Sequence, residues 1–281
     1  MVLVKGGFLK ACDDYGLICD ISNVDGSDEA KVVSYVETMT PENTSGAVMI
    51  VNAPSRYVSA NLLVDKGIPL VAPHATVNHE DVPGLLAWAA PNAVEYSKSA
   101  GRALAEKVKC EGPIAVNQLD FNIMENQITD DFRIGFSEVC PDTELLETVA
   151  FGAEADMAKS IAVASAVIQA HPDLKGAFSA TADGPSVWSM AASDNGKEDG
   201  EIAIIGMDYT RVNLDTIKNG KAFMLVAQPA FEQGYYSVVL LVNHLLGLPV
   251  PYENYLPAPQ VTLENVDDYY EINDVAELYS K

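Results

Sequence analysis

The sequence predicts an α/β protein made of two doubly wound parallel-sheet lobes, and three observations lead there. Short apolar runs recur along the whole chain, stretches of helical spacing separate them, and 281 residues exceed what a single core ordinarily organises. The runs are residues 17–21, 47–51, 68–72, 85–89, 113–116, 145–149, 177–180, 202–206 and 222–226. They are continuous rather than alternating, which is how strands covered on both faces of a parallel sheet read.

The intervening stretches place apolar side chains three and four residues apart. Val4, Phe8, Ala11 and Tyr15 form one stripe, Met157, Ile161, Ala164 and Ile168 a second, and Val238, Leu241, Val242, Leu245 and Leu246 a third. Such stripes cover a sheet face. Gly16 and Gly247 follow two of these helices, where a left-handed residue ends a helix at least cost. Strand and helix therefore alternate, and the right-handed crossover rule turns the alternation into doubly wound sheets. Two smaller sheets are expected rather than one of nine strands, because open α/β sheets bind ligands beyond their strand C-termini.

Composition narrows the function classes. The hydrophobic fraction of 48% with 20% charged residues is that of a folded globular protein. Forty acidic against seventeen basic residues give a net charge of −23. Attraction to nucleic acid or anionic lipid is unfavourable at that charge, so the surface is read as solvated. No run approaches the roughly 18 apolar residues of a membrane span. Residues 1–16 show no basic region leading into an apolar core, so no export signal is visible. Cys12, Cys19, Cys110 and Cys140 lack C-x-x-C spacing and are read as buried thiols, with a Cys12–Cys19 bridge conceivable between a helix and the next strand.

No dinucleotide-binding glycine pattern, P-loop, nucleophile elbow or H-E-x-x-H is present, and no nucleophile has an evident base. No metal site and no cofactor are expected, since Pro73 and Pro83 argue against a helix that would pair His74 with His79.

Between residues 170 and 247 stand AHPDLKGAFSATAD, IAIIGMD and TIKNGKAFMLVAQPAFEQGYYSVVLLVNHLLG. In order and spacing they resemble the C-terminal half of the ribose-type sugar-binding proteins, the type I periplasmic binding proteins. VMIVNAPS, KGIPLVAPHA, DDFRIGF and the closing VTLENVDDYY extend the resemblance over nearly the whole chain. It implies lobes joined by three crossings near residues 90–92, 228–229 and 257–261. Residues 1–90 and 229–258 would form the first lobe, and 91–228 with 259–281 the second. The resemblance also implies a strand ahead of the first helix that this sequence does not show, which leaves the first lobe incomplete.

The family's polar positions transfer unevenly. Its Asp-Arg pair after IPLV is here His74-Ala75, its arginine in R-x-x-G-F is Phe132, and its Asn-Asp pair is Thr181-Ala182 followed by Asp183. Asp208 in GMD and Gln228 in AQP match their family positions. The candidate ligand-binding residues are therefore His74, Phe132, Thr181, Asp183, Asp208 and Gln228. Three of them have an ordinary alternative. His74 fills a loop, Phe132 packs in a core, and Asp208 turns or caps the chain before Thr210. Trp188 is read as packing, and Asp131 with Arg133 as an exposed pair.

What the resemblance implies is a monomeric, extracytoplasmic substrate-binding protein of an ABC importer, not an enzyme. Its partners would be a small neutral hydroxylated solute and a membrane permease. The alternative is the ligand-sensing core of a LacI-type transcription regulator, for which no helix-turn-helix is seen.

Overall fold

In the computed structural model, residues 2–22, 28–119, 123–151 and 156–280 are described. The chain separates into two compact units, one of Met1–Pro91, Pro229–Pro257 and Asp274–Lys281, the other of Asn92–Gln228 and Ala258–Asn273. Among the described residues no helix is long and apolar enough to cross a membrane.

The first unit begins with α1 (Val2–Asp14), α2 (Glu29–Glu37), β1 (Ala47–Val48), α3 (Tyr57–Asp65), β2 (Leu70–Pro73) and β3 (Ala87–Pro91). The second then runs through α4 (Ala93–Val108), β4 (Ile114–Leu119), α5 (Ile123–Val139), β5 (Val149–Phe151), α6 (Met157–Ala170), β6 (Gly176–Ser179), α7 (Gly184–Asp194), β7 (Ala203–Met207), α8 (Arg211–Lys218) and β8 (Met224–Val226). The chain re-enters the first unit for α9 (Ala230–Leu245) and β9 (Glu253–Leu256), then forms β10 (Gln260–Val261) in the second and ends in α10 (Val266–Ser280).

The sheet of the first unit is wholly parallel, in the order β1-β2-β3-β9. One face packs Val71, Ala87 and Ala89 under Leu240 and Leu241 of α9, and the other packs Leu70, Ala72, Trp88 and Ala90 with Val36, Ala60 and Leu63. Burial on both faces explains why these strands read as continuous apolar runs. Residues 17–21, expected as a strand, form none. Leu17 and Ile18 are exposed, no strand of the described sheet pairs with them, and a disulfide joins Cys19 to Cys12 of α1. An apolar run without a neighbouring strand satisfies neither its backbone nor its side chains, so propensity alone does not form the element.

The sheet of the second unit has the order β10-β8-β7-β6-β4-β5, parallel except for β10 at its edge. Here α4 and α5 cover one face, burying Leu104, Phe132 and Phe136 against Val116, Phe178, Ile205 and Met207. Their close approach needs glycine. A Cβ on Gly101 would meet the Phe132 carbonyl at 2.2 Å, and one on Gly135 the Lys98 carbonyl at 2.2 Å. In the first unit Gly7 and Gly234 allow α1 onto α9 in the same way.

Three further expectations change. The run at 145–149 begins with an isolated bridge from Leu145 to Ile114, and the strand forms only from its last residue, as β5. The end of α10, expected with the second lobe, groups with the first unit, where Ala276 packs on Gly6. All four cysteines are paired, Cys12 with Cys19 and Cys110 with Cys140, so the reading of buried free thiols is replaced.

The Cys110–Cys140 bond ties the turn after α4 to the residue after α5 across 30 residues of chain. A loop of that length contributes about 3–4 kcal/mol in the chain-entropy account. The Cys110→Ala/Cys140→Ala variant is therefore expected to melt well below the parent under non-reducing conditions, and reducing agent is expected to lower the parent towards it. Coincident melting curves would show that the bond does not form.

Candidate functional site

Parallel strands all leave their sheet at the same edge. In the second unit the direction of winding reverses between β4 and β6, since β5 lies on one side of β4 and β6 to β8 on the other. The crevice of a doubly wound sheet opens at that reversal, beyond the strand C-termini. Among the described residues, those just past β6, β7 and β8 stand at that edge.

Asp208 follows β7 with φ at 62°, a left-handed backbone that costs a non-glycine residue about 1–2 kcal/mol and that Asp tolerates better than most. It is not the cap of α8. Thr210 has that role, its hydroxyl accepting from the Asn213 N–H. Gln228 lies two residues beyond β8, and its amide donates to the hydroxyl of Tyr96. Tyr96 stands in the first turns of α4, 5% exposed. Burial first, and then the Asp208 carboxylate, hold its phenol far above the ordinary tyrosine value of 10.0, with Asp131 and Glu125 adding to the effect and the Gln228 hydrogen bond opposing it.

The Tyr96 phenol thus feels the charge of the Asp208, Asp131 and Glu125 carboxylates and takes its hydrogen bond from Gln228. The two further carboxylates are fixed by neutral donors. The Leu119 N–H donates to Glu125 Oε2 at 2.6 Å and Gln127 Nε2 to Asp131 Oδ2 at 2.9 Å. Asp131 is buried, and Arg133 is half-buried, donating to the Leu146 carbonyl and the Thr148 hydroxyl. The expected exposed pair of Asp131 and Arg133 is therefore not found.

After β6 the buried Thr181 hydroxyl lies 3.0 Å from that of Ser179, and Asp183 occupies the position before α7 without a side-chain capping bond. Trp188 is sealed in the core, donating from Nε1 to Asn117 Oδ1 at 2.7 Å, so it packs as expected. Phe132 does not reach the edge. It is fully buried, stacked on Phe178 with ring centroids 4.0 Å apart, because residues 128, 132 and 136 form the inward stripe of α5. Phe132 is a core aromatic and leaves the candidate set. His74 belongs to the first unit, just past β2, with φ at 79°. Its N–H donates to the Ala89 carbonyl, and its buried Nδ1 has no partner among the described residues.

Carboxylates, amides and hydroxyls at one strand edge suit hydrogen bonding to neighbouring hydroxyl groups, carboxylates accepting and amides doing both. Among the described residues no group of three or more His, Cys, Asp or Glu side chains is arranged to hold a metal ion.

With this geometry, the family can be given. The chain matches the periplasmic binding protein domain family over residues 1–249 and belongs to it. Members of that family bind solutes and are not enzymes. Among solved structures it is similar to a sugar-binding protein of a sugar ABC transporter from Bacillus halodurans, at 23% identity and a TM-score of 0.83 over 96% of both chains. An arabinose-binding protein from Geobacillus stearothermophilus shares 22% identity with a TM-score of 0.81, over 96% of this chain and 94% of that one. A candidate LacI transcriptional regulator from Bacteroides fragilis shares 23% identity with a TM-score of 0.76, over 95% of this chain and 93% of that one. These likenesses are of fold. No curated protein matches the chain.

Tyr96 yields a test. A phenol whose folded pKa lies above its unfolded value of 10.0 contributes stability that is complete below that value and is lost as pH rises through it, because the unfolded chain sheds the proton first. Between pH 10 and 11.5 the Tyr96→Phe variant is expected to lose stability less steeply than the parent. Parallel pH profiles would place the Tyr96 hydroxyl in water.

Proposed function

We propose that this chain is the extracytoplasmic solute receptor of an ABC importer, binding a small neutral hydroxylated solute such as a sugar, polyol or nucleoside. The observation that carries the reading is Asp208, held in a left-handed backbone at the C-terminal edge of β7, with Gln228 at the same edge past β8. Backbone of this kind persists where surrounding structure enforces it, and it concentrates at ligand sites. Asp208 accepts from ligand hydroxyls, Gln228 accepts and donates, and Thr181 and Asp183 extend the polar edge. Within the first unit, His74, whose buried Nδ1 has no partner among the described residues, is a separate candidate for a solute contact. The two units act as the lobes of the receptor, and the chain passes between them at residues 91–92, 228–229, 257–258 and, within α10, 273–274. The solute-loaded monomer docks on a membrane permease.

Two observations support this over the regulator core. Both cysteine pairs are bonded, which suits an oxidising compartment rather than the cytosol. A net charge of −23 disfavours an assembly on DNA. Among the described residues of this edge no nucleophile is paired with a base, and no reaction is assigned to it.

The solute is found by thermal shift across ribose, arabinose, allose, tagatose, fructose, glucose, galactose, polyols and nucleosides, since a ligand at a hundred times its Kd adds about 2.7 kcal/mol. Against the solute so found, Asp208→Ala is expected to weaken binding by about 2–4 kcal/mol in calorimetry with the fold retained. Parent-like affinity in that variant would remove Asp208 from the site.

A further inference from the structure

Two loops of the second unit carry the proposed polar edge. One follows β6 and holds Thr181 and Asp183; the other follows β7 and holds Asp208. A single side chain ties them together. Asn213, in the first turn of α8 and fully buried, directs Nδ2 at the Ala182 carbonyl at 2.7 Å, the Met207 carbonyl at 3.1 Å and the Asp208 carbonyl at 3.0 Å. Ala182 lies between Thr181 and Asp183, so this carboxamide grips both loops at the residues the site uses.

The orientation of the amide is dictated by those acceptors. Turning it over would set Oδ1 against three carbonyl oxygens, whereas in the observed orientation Oδ1 is left buried without a partner. An unsatisfied buried acceptor is costly and calls for a reason. Here the same group anchors the carbonyl of Asp208, the residue whose left-handed backbone most needs outside support. Asn213 is also anchored in turn, since its N–H donates to the Thr210 cap and its carbonyl accepts from the Thr216 hydroxyl.

We propose that Asn213 is the positioning residue of the solute site, fixing the Asp208 carboxylate relative to the loop of residues 181–183. The proposal rests on Asp208 meeting the solute. Asn213 itself touches no ligand; it sets where the accepting carboxylate stands, and a small displacement of such a group loses much of its binding.

The test is a double-mutant cycle. The sugar, polyol or nucleoside giving the largest thermal shift on the parent is titrated calorimetrically against the parent, Asn213→Ala, Asp208→Ala and the double variant. Asn213→Ala is expected to weaken binding about tenfold or more, yet to add nothing once Asp208 is alanine. Parent-like affinity for Asn213→Ala beside weakened Asp208→Ala would overturn the positioning role, and so would fully additive losses. Parent-like affinity for Asp208→Ala, or a panel without any shift, would instead overturn the site reading. Amide exchange on unliganded protein supplies a readout that needs no solute. In Asn213→Ala, or in Asn213→Ser should alanine not fold, exchange is expected to quicken at residues 181–183 and at 208–209 together. Unchanged protection in either loop would also defeat the proposal.

Discussion

Parallel pairing is the constraint on which the rest of this structure depends. Because β4, β6, β7 and β8 run in one direction, every one of them releases its chain at the same edge, and every return must be made by a helix lying on a sheet face. The helices bury the faces and the exits collect the polar residues. Apolar core and polar edge are thereby separated in space without being separated in sequence: Met207 is in the core, and Asp208, the next residue, is at the edge.

That separation needs helices that lie close and do not slide. In each unit two helices meet through paired glycines, α4 with α5 at Gly101 and Gly135, α1 with α9 at Gly7 and Gly234. Backbone meets backbone at these crossings, so the helix that carries Tyr96 is located by main-chain atoms rather than by adaptable side chains. The placement of the Tyr96 hydroxyl beside Gln228 follows from the fit of Gly101 against the Phe132 carbonyl one and a half turns further along.

What was legible in the sequence divides along the same line. Continuous apolar runs announced β2, β6, β7 and β8, because burial on two faces leaves no room for alternation. β9 and β10 escaped notice, being edge strands of mixed polarity set among Pro251, Pro257 and Pro259. Residues 17–21 carried the right composition and formed no strand, since composition cannot supply a neighbour to pair with. Asp208 and Gln228 were found through the resemblance, which locates a residue along the chain but not the direction of its side chain. Phe132 shows the difference: its position suggested a ligand contact, whereas its spacing from Ile128 and Phe136 marks the inward stripe of a helix. Tyr96 gave no signal of its own, as a tyrosine four residues after a helix cap is ordinary, and only folding brings it to Asp208.

The left-handed backbone at Asp208 has a consequence for how such a receptor diverges. Few side chains accept a φ of 62°, glycine, asparagine and aspartate foremost among them. A change at this position is filtered by geometry before it is tried against any solute, and the survivors are small and polar. Tyr96 and Gln228 stand on backbone with no such filter. By backbone geometry alone, substitution is freer at those two positions than at position 208.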